Sequence, residues 1–373
     1  GRGTIWPPPR LGGPAVGEFP VTEEIAMWDL IIDGESGKPA VPSDMQRILH
    51  DQRIDEERPG TILKDFATLL SFVGEDGLKT TGKYYLLPQS RLNELNQRMS
   101  QPVAHALRRP QQRSFPHLHG LHLLLRASGL GIGVGAPPGG RLMIDEETLA
   151  AWHDLNPVER YFTLLESWLI EGSPEIIGEG RGGARVCFQS FTWVSEKLRH
   201  RRTVLSGERG GSPLYGVVES MTVALMGLFG WMRLEYGQPK EGGGVRLAAV
   251  ERLPFGDAMV AALTVSHFSG EWAPPYGDEA AEPGALKAVF DPYFPEWQRT
   301  LAQPEGEYHE GTYTWRVSLG PVWRRIVAPA GTTLDTLAMT ILDAFEFDGE
   351  HLYCFELRGR RGRKMRKIGR AHV

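Results

Sequence analysis

The stretch FPHLHGLHLLLR sets His117, His119 and His122 within six residues. In a helix His119 and His122 fall one turn apart on the same face, so a carboxylate brought from elsewhere would complete a three-ligand metal site. No H-E-x-x-H spacing accompanies them. Three histidines at the start of a helix are read in the first instance as surface or capping residues, with a metal-dependent enzyme as the last of three functional readings.

A second cluster, KLRHRR, contributes Lys197, Arg199, Arg201 and Arg202. Contact with phosphate is the natural use of such a run, and a solvated helix face or loop is the plainer one. ALRRPQQR, with Arg108, Arg109 and Arg113, is a weaker version of the same signal.

Two glycine-rich stretches suggest nucleotide loops and then fall short. GLKTTGKY, Gly77–Tyr84, has the spacing G-x-x-x-x-G-K, but Tyr84 replaces the Ser or Thr that would ligate Mg²⁺. An amphipathic helix precedes it where a buried strand should stand, so it reads as a turn. GLGIGVG, Gly129–Gly135, follows a helix and not a strand. It reads as a helix C-cap and a flexible connection. There is no nucleophile elbow, no paired-carboxylate constellation and no zinc-finger spacing. A non-enzymatic binding role is therefore expected, with no cofactor and no small-molecule substrate, acting on a protein partner or on DNA.

The bulk properties fit that expectation. At 373 residues, two or three domains are expected. The balance of apolar and charged residues is that of a soluble globular protein. The longest apolar run, Met221–Met232, is too short to span a bilayer, so no membrane partner and a cytoplasmic location are expected. Cys187 and Cys354 share no metal or redox spacing and read as thiols in a reducing compartment. The net charge is −5 although Arg358–Arg370 carries eight Arg and Lys and no acid. The body is thus more acidic than the total suggests, and any polyanion must bind through local patches.

The elements that would position these residues can be read from periodicity. Residues 1–60 form a weakly ordered arm, in which EEIAMWDLIID is one short apolar element. TILKDFATLLSFV, LPQSRLNELNQRMS and HGLHLLLRASGL are helices by their apolar spacing. LNPVERYFTLLESWLI carries the fullest start signal: Asn156 as cap, Pro157 in the first position and Glu159 at the capping-box site. Helix Val217–Phe229, a hairpin through WMRLEY and VRLAAVERL, and a helix from Phe255 follow the order of a winged-helix module, and a similar unit is expected earlier. Val217–Phe229 presents no Arg, Lys, Asn or Gln to a base edge, so it is expected to face the core or a partner. The fold class expected is multidomain α+β. A helical region at 61–150 and a helical, winged-helix-like region at 151–268 precede a linker at 269–306. A small β-β-α-β domain at 307–366 then follows, built from YTWRVSL, VWRRIVAP, TTLDTLAMTILDAF and HLYCFEL.

That last segment resembles the plasmid pRiA4b ORF-3-like family, also met under transposon-passenger or TnpR-like labels. The residues that carry the resemblance are Val322, Trp323, Arg324, Arg325 and Ile326, then Thr333, Leu334, Leu337 and Phe345, then His351, Leu352 and Phe355. FPHLHGLHLLLRASGL and LNPVERYFTLLESWL are similar to the helical extension of some members. Ala338 stands where members usually carry His, and Glu346-Phe347 where they carry Gly-Trp. The resemblance implies a fold and no catalytic role; its labels suggest, as the alternative function, a DNA-processing accessory factor of a mobile element. Members continue for several strands beyond HLxxF, so the domain is expected to be incomplete. Back-translated as AAG-ATC-GGA-AGA-GCA-CAC-GTC, KIGRAHV reproduces a sequencing-adapter DNA in frame. Residues 367–373 are therefore expected to be an artefact, and the genuine sequence to stop near Arg366.

Overall fold

Asn156 and Glu159 do what their spacing predicts. The Glu159 amide donates to Asn156 Oδ1 at 3.0 Å, and the Asn156 amide donates back to Glu159 Oε2 at 2.8 Å. Asn156 Nδ2 also donates to the Glu296 carbonyl at 2.9 Å, tying a distant segment to the start of this helix. Replacing Asn156 with Ala is expected to lower stability by about 1–2 kcal/mol, seen as a lower urea midpoint with an unchanged slope.

The helix so capped, Pro157–Leu169, is the hub of the fold. In the computed structural model, residues 39–80, 82–135, 139–172, 174–179, 202–205, 220–270, 283–301, 310–347, 352–358 and 364–370 are described. The helices among them are α1 (Ser43–Asp51), α2 (Ile62–Val73), α3 (Leu92–Arg98), α4 (Pro116–Ala127), α5 (Glu146–His153), α6 (Pro157–Leu169), α7 (Ser220–Leu228), α8 (Pro254–Ser269), α9 (Lys287–Phe290) and α10 (Leu334–Ala344). The strands are β1 (Leu78–Lys79), β2 (Gly131–Val134), β3 (Arg141–Ile144), β4 (Arg202–Val204), β5 (Met232–Gly237), β6 (Arg246–Arg252), β7 (Thr312–Leu319), β8 (Val322–Pro329), β9 (Leu352–Arg358) and β10 (Lys364–Arg370). The chain is thus mixed α and β, and no described helix is long and apolar enough to cross a membrane.

Two stretches repeat one topology. In the first, α2-β1-α3-α4-β2-β3 folds with its strands in the order β1-β3-β2, all antiparallel. In the second, α6 and β4 precede α7-β5-β6, and the strand order is β4-β6-β5. In both, the last strand lies between the other two. The helices that precede the two hairpins, α4 and α7, pack against each other. Gly120 makes this close approach possible, since a Cβ there would meet Leu225 Cγ at 2.7 Å.

Aromatic side chains of α6 hold the second stretch and the following segment together. The Tyr161 hydroxyl donates to the Phe229 carbonyl at 2.9 Å and accepts from Trp231 Nε1 at 3.1 Å. Phe162 stacks on Trp297 with ring centroids 4.3 Å apart, and both are fully buried. This last contact corrects the linker expected at 269–306. Helix α8 runs on to Ser269, and Leu286, Phe290, Phe294, Trp297 and Leu301 belong to the main core. Pro and Gly make this segment look like a connection, but its aromatic residues carry enough apolar area to bind it down. Glu166, buried in α6, accepts from the amides of Gly284 and Leu286, each at 2.9 Å.

Two further expectations change. Ser43–Asp51, placed in a loose arm, is a helix that buries Leu49 and packs on α8; EEIAMWDLIID lies outside the described residues. GIGV, taken as a flexible connection, is β2 and pairs with β3 from Gly131↔Ile144 to Val134↔Arg141. Its alternation is hidden because Gly133 leaves room for the ring of Tyr85, with which a Cβ would clash.

The C-terminal unit follows the expected β-β-α-β order and adds a strand. β7 and β8 pair over their full length around the turn at Gly320, α10 packs on β8, and β9 pairs with β10 from Leu352↔Arg370 to Arg358↔Lys364. The domain, expected to be incomplete after HLYCFEL, thus gives β9 a partner strand in Lys364–Arg370. Ile326, Ala328 and Ala338 are buried here, and the main core contains none of them.

Candidate functional site

The three histidines are core residues, not surface or capping ones. His117, His119 and His122 are 4%, 5% and 0% exposed. Helix α4 leaves no free face, because α2, α6, α7 and the short turn Pro174–Ile177 all pack on it. Gln112 organises two of them. The Leu87 amide donates to Gln112 Oε1 at 2.7 Å, which fixes the carboxamide with its nitrogen towards the imidazoles. That nitrogen lies 3.0 Å from His119 Nδ1 and 2.8 Å from His122 Nδ1, and Gln112 Oε1 lies 3.1 Å from His122 Nδ1, so one carboxamide bridges the two rings. His119 Nε2 lies 3.3 Å from Glu179 Oε1.

Burial pushes His117 down to about 4. It also holds His122 well below the usual histidine range, with Arg126 and His119 adding repulsion. His119 is lowered by the same desolvation, against the pull of Glu179. The three imidazoles are neutral at pH 7. The space between the two Nδ1 atoms is filled by the Gln112 carboxamide. Among the described residues, no group of three His, Cys, Asp or Glu is placed to hold a metal.

His117 stands apart from that network. Among the described residues, neither of its ring nitrogens has a hydrogen-bond partner, and its ring rests against Phe115. It lines a cavity of about 290 Å³ between the two repeated stretches, together with Thr61, Asp65, Gln101, Met232 and Leu234. Asp65 is 1% exposed; it accepts from the Thr61 hydroxyl and from the Ser100 amide, each at 2.7 Å. These residues were missed in the sequence, although a signal exists. Asp65 occupies the i+3 position of the apolar stripe Ile62, Phe66, Leu69, where a charge is out of place.

The basic cluster is only partly described. Lys197, Arg199 and Arg201 lie outside the described residues. Arg202 begins β4 and is held by Glu235, with Nε–Oε1 at 3.0 Å and Nη2–Oε2 at 2.7 Å. Arg108, Arg109 and Arg113 are exposed. The glycine-lysine stretch Gly77–Lys83 contains β1 and a turn, and no helix starts directly after Lys83.

The motif residues of the C-terminal unit divide between its two faces. Arg324 Nε donates to the Ala344 carbonyl at 2.9 Å and its guanidinium lies over the Phe345 ring, which ties β8 to the end of α10. Trp323 and Val327 project from the opposite face and are 51% and 52% exposed. On that face Arg325 lies directly across from Arg316, whose guanidinium sits 4.8 Å from the Trp323 ring centroid. Phe355 meets Tyr353 edge-on, Leu352 opens β9, and His351 lies outside the described residues.

No curated protein and no solved structure matches the chain. Residues 313–371 match the profile of the plasmid pRiA4b ORF-3-like proteins. The match takes in β7, β8, α10, β9 and β10 and extends to residue 371. Over this C-terminal segment, about a sixth of its length, the chain is similar to the plasmid pRiA4b ORF-3-like proteins.

Proposed function

We propose that this is a non-enzymatic binding protein, in which two winged-helix-like repeats form a rigid scaffold and the C-terminal unit carries the partner-binding face. The observation that carries this reading is the packing of α4 on α7. In a winged helix that reads DNA, the helix before the wing enters the major groove. Here both such helices are buried against each other, and neither presents a side chain to a groove. The exposed β7–β8 face offers an aromatic anchor, a β-branched neighbour and two arginines. That combination suits a protein partner with an acidic, partly apolar patch.

Arg202 supports the same choice over DNA, since its charge is already engaged by Glu235. Titration of the protein into labelled duplex DNA at two salt concentrations should give weak binding that Arg202→Ala leaves unchanged. Trp323→Ser should leave the fold intact and reduce affinity for proteins captured through the hairpin by about 2 kcal/mol or more, measured with the purified partner. Tight, steeply salt-dependent DNA binding lost in Arg201→Ala would overturn this reading and favour an accessory role in DNA processing.

A further inference from the structure

The cavity between the two repeats has the features of a built ligand site. At about 290 Å³ it lies at the lower end of the range for small-molecule pockets. Its walls are mixed: Met232 and Leu234 of β5 supply apolar surface, while Thr61, Asp65, Gln101 and His117 supply polar atoms from the first repeat. Nearly all buried polar groups in proteins find a partner, so an imidazole 4% exposed with two unpartnered nitrogens marks an unmet requirement.

The charge of the site narrows the ligand. Asp65 is buried, and among the described residues no Lys, Arg or His pairs with its carboxylate. Both of its oxygens accept from neutral donors only, the Thr61 hydroxyl and the Ser100 amide. Arg233 also lines the cavity, but its guanidinium is 63% exposed and held 2.5 Å from Glu251 Oε2. Gln101 uses its amide nitrogen on the Leu234 carbonyl at 3.2 Å, leaving its oxygen as an acceptor. A carboxylate, a carboxamide oxygen and an imidazole lone pair favour a ligand that donates hydrogen bonds and carries positive charge.

We propose that this cavity binds a small organic cation, an amine or amidine with a compact apolar body, whose charged head is placed by Asp65 and His117. The apolar body would rest on Met232 and Leu234. The sequence offered no small-molecule substrate, and this site does not require one. A bound cation bridging the two repeats would act as a ligand of the scaffold, independently of the hairpin face on the C-terminal unit.

The test uses three planar probes of one shape and different charge, titrated calorimetrically into the full chain: benzamidine, benzamide and benzoate. Benzamidine is expected to bind saturably with one-to-one stoichiometry and at least about tenfold more tightly than benzamide, with benzoate weakest. Ala224→Leu fills the cavity from α7 and should weaken benzamidine about tenfold or more. Should that variant fold poorly, the imidazole signals of His117 in the unaltered protein give a second readout, and they should shift on titration with benzamidine. Absence of saturable benzamidine binding in the millimolar range, or a preference for benzoate, would overturn the proposal. Binding that leaves the His117 signals in place would overturn it equally.

Discussion

Acidification from pH 7 to pH 4.5 is expected to destabilise the helical body, through three buried histidines of one helix. His117, His119 and His122 all have folded-state values below that of a free imidazole, because burial in α4 opposes their charging. Below pH 6.5 the unfolded chain takes up protons that the folded chain refuses, so stability falls as the pH drops. For His117 the window runs from 6.5 to about 4 and is worth about 3 kcal/mol. Glu166 acts in the opposite sense. Burial pushes it up to about 7 against the pull of the Gly284 and Leu286 amides. The folded state therefore holds a proton that the unfolded state has released between pH 4.5 and 7, and this group loses stability as the pH rises. This carboxyl offsets about one histidine, and the lowered values of His119 and His122 leave the net fall. Urea midpoints at pH 7.5, 6 and 5 should fall together with pH. Glu166→Gln should steepen the fall, and His117→Gln should flatten it by about one proton. A midpoint level across that range would contradict the burial of the cluster.

Much of the fold that controls this behaviour is legible in the chain itself. The capping box of α6 and the stripes of α2 and α10 depend on local spacing, and local spacing survives folding unchanged. The order of helix, hairpin and helix around α7 was readable for the same reason. What could not be read depends on residues far apart in sequence. The strand GIGV looks like a linker because Tyr85, about fifty residues upstream, fills the space its side chains leave. Residues 284–301 look like a linker because their partner is Phe162. The histidines could be found by type, but their burial could not. Their environment is made by α7, about a hundred residues later, and by Gln112, whose carboxamide has no motif of its own. The cavity was invisible for a related reason, since each repeat contributes only half of its wall.

Gly230→Ala is expected to destabilise the protein by about 2–5 kcal/mol, through the backbone contact that closes the two repeats on each other. Gly230 has φ of +75°, where an L-residue pays about 1–2 kcal/mol. Its Cβ would also meet the Pro59 carbonyl and come within 2.7 Å of the Gly60 nitrogen. Both are main-chain groups with no rotamer to change, so the chain between α1 and α2 must move as a whole, adding about 1–3 kcal/mol. Gly60 faces the same contact from the other side, where a Cβ would meet the Leu228 carbonyl and lie 2.8 Å from Gly230 Cα. Gly242→Ala separates the two contributions. Its φ is +69°, but nothing lies within 4 Å of the added methyl. Only the conformational part should appear there, lowering the urea midpoint by the equivalent of about 1–2 kcal/mol. If the two variants fall equally, the contact at Pro59 contributes nothing. If Gly230→Ala falls further, the excess measures how rigidly the repeats are joined. Gly60 and Gly230 both line the cavity, so the same variant should loosen benzamidine binding, while Gly242→Ala should leave it unchanged.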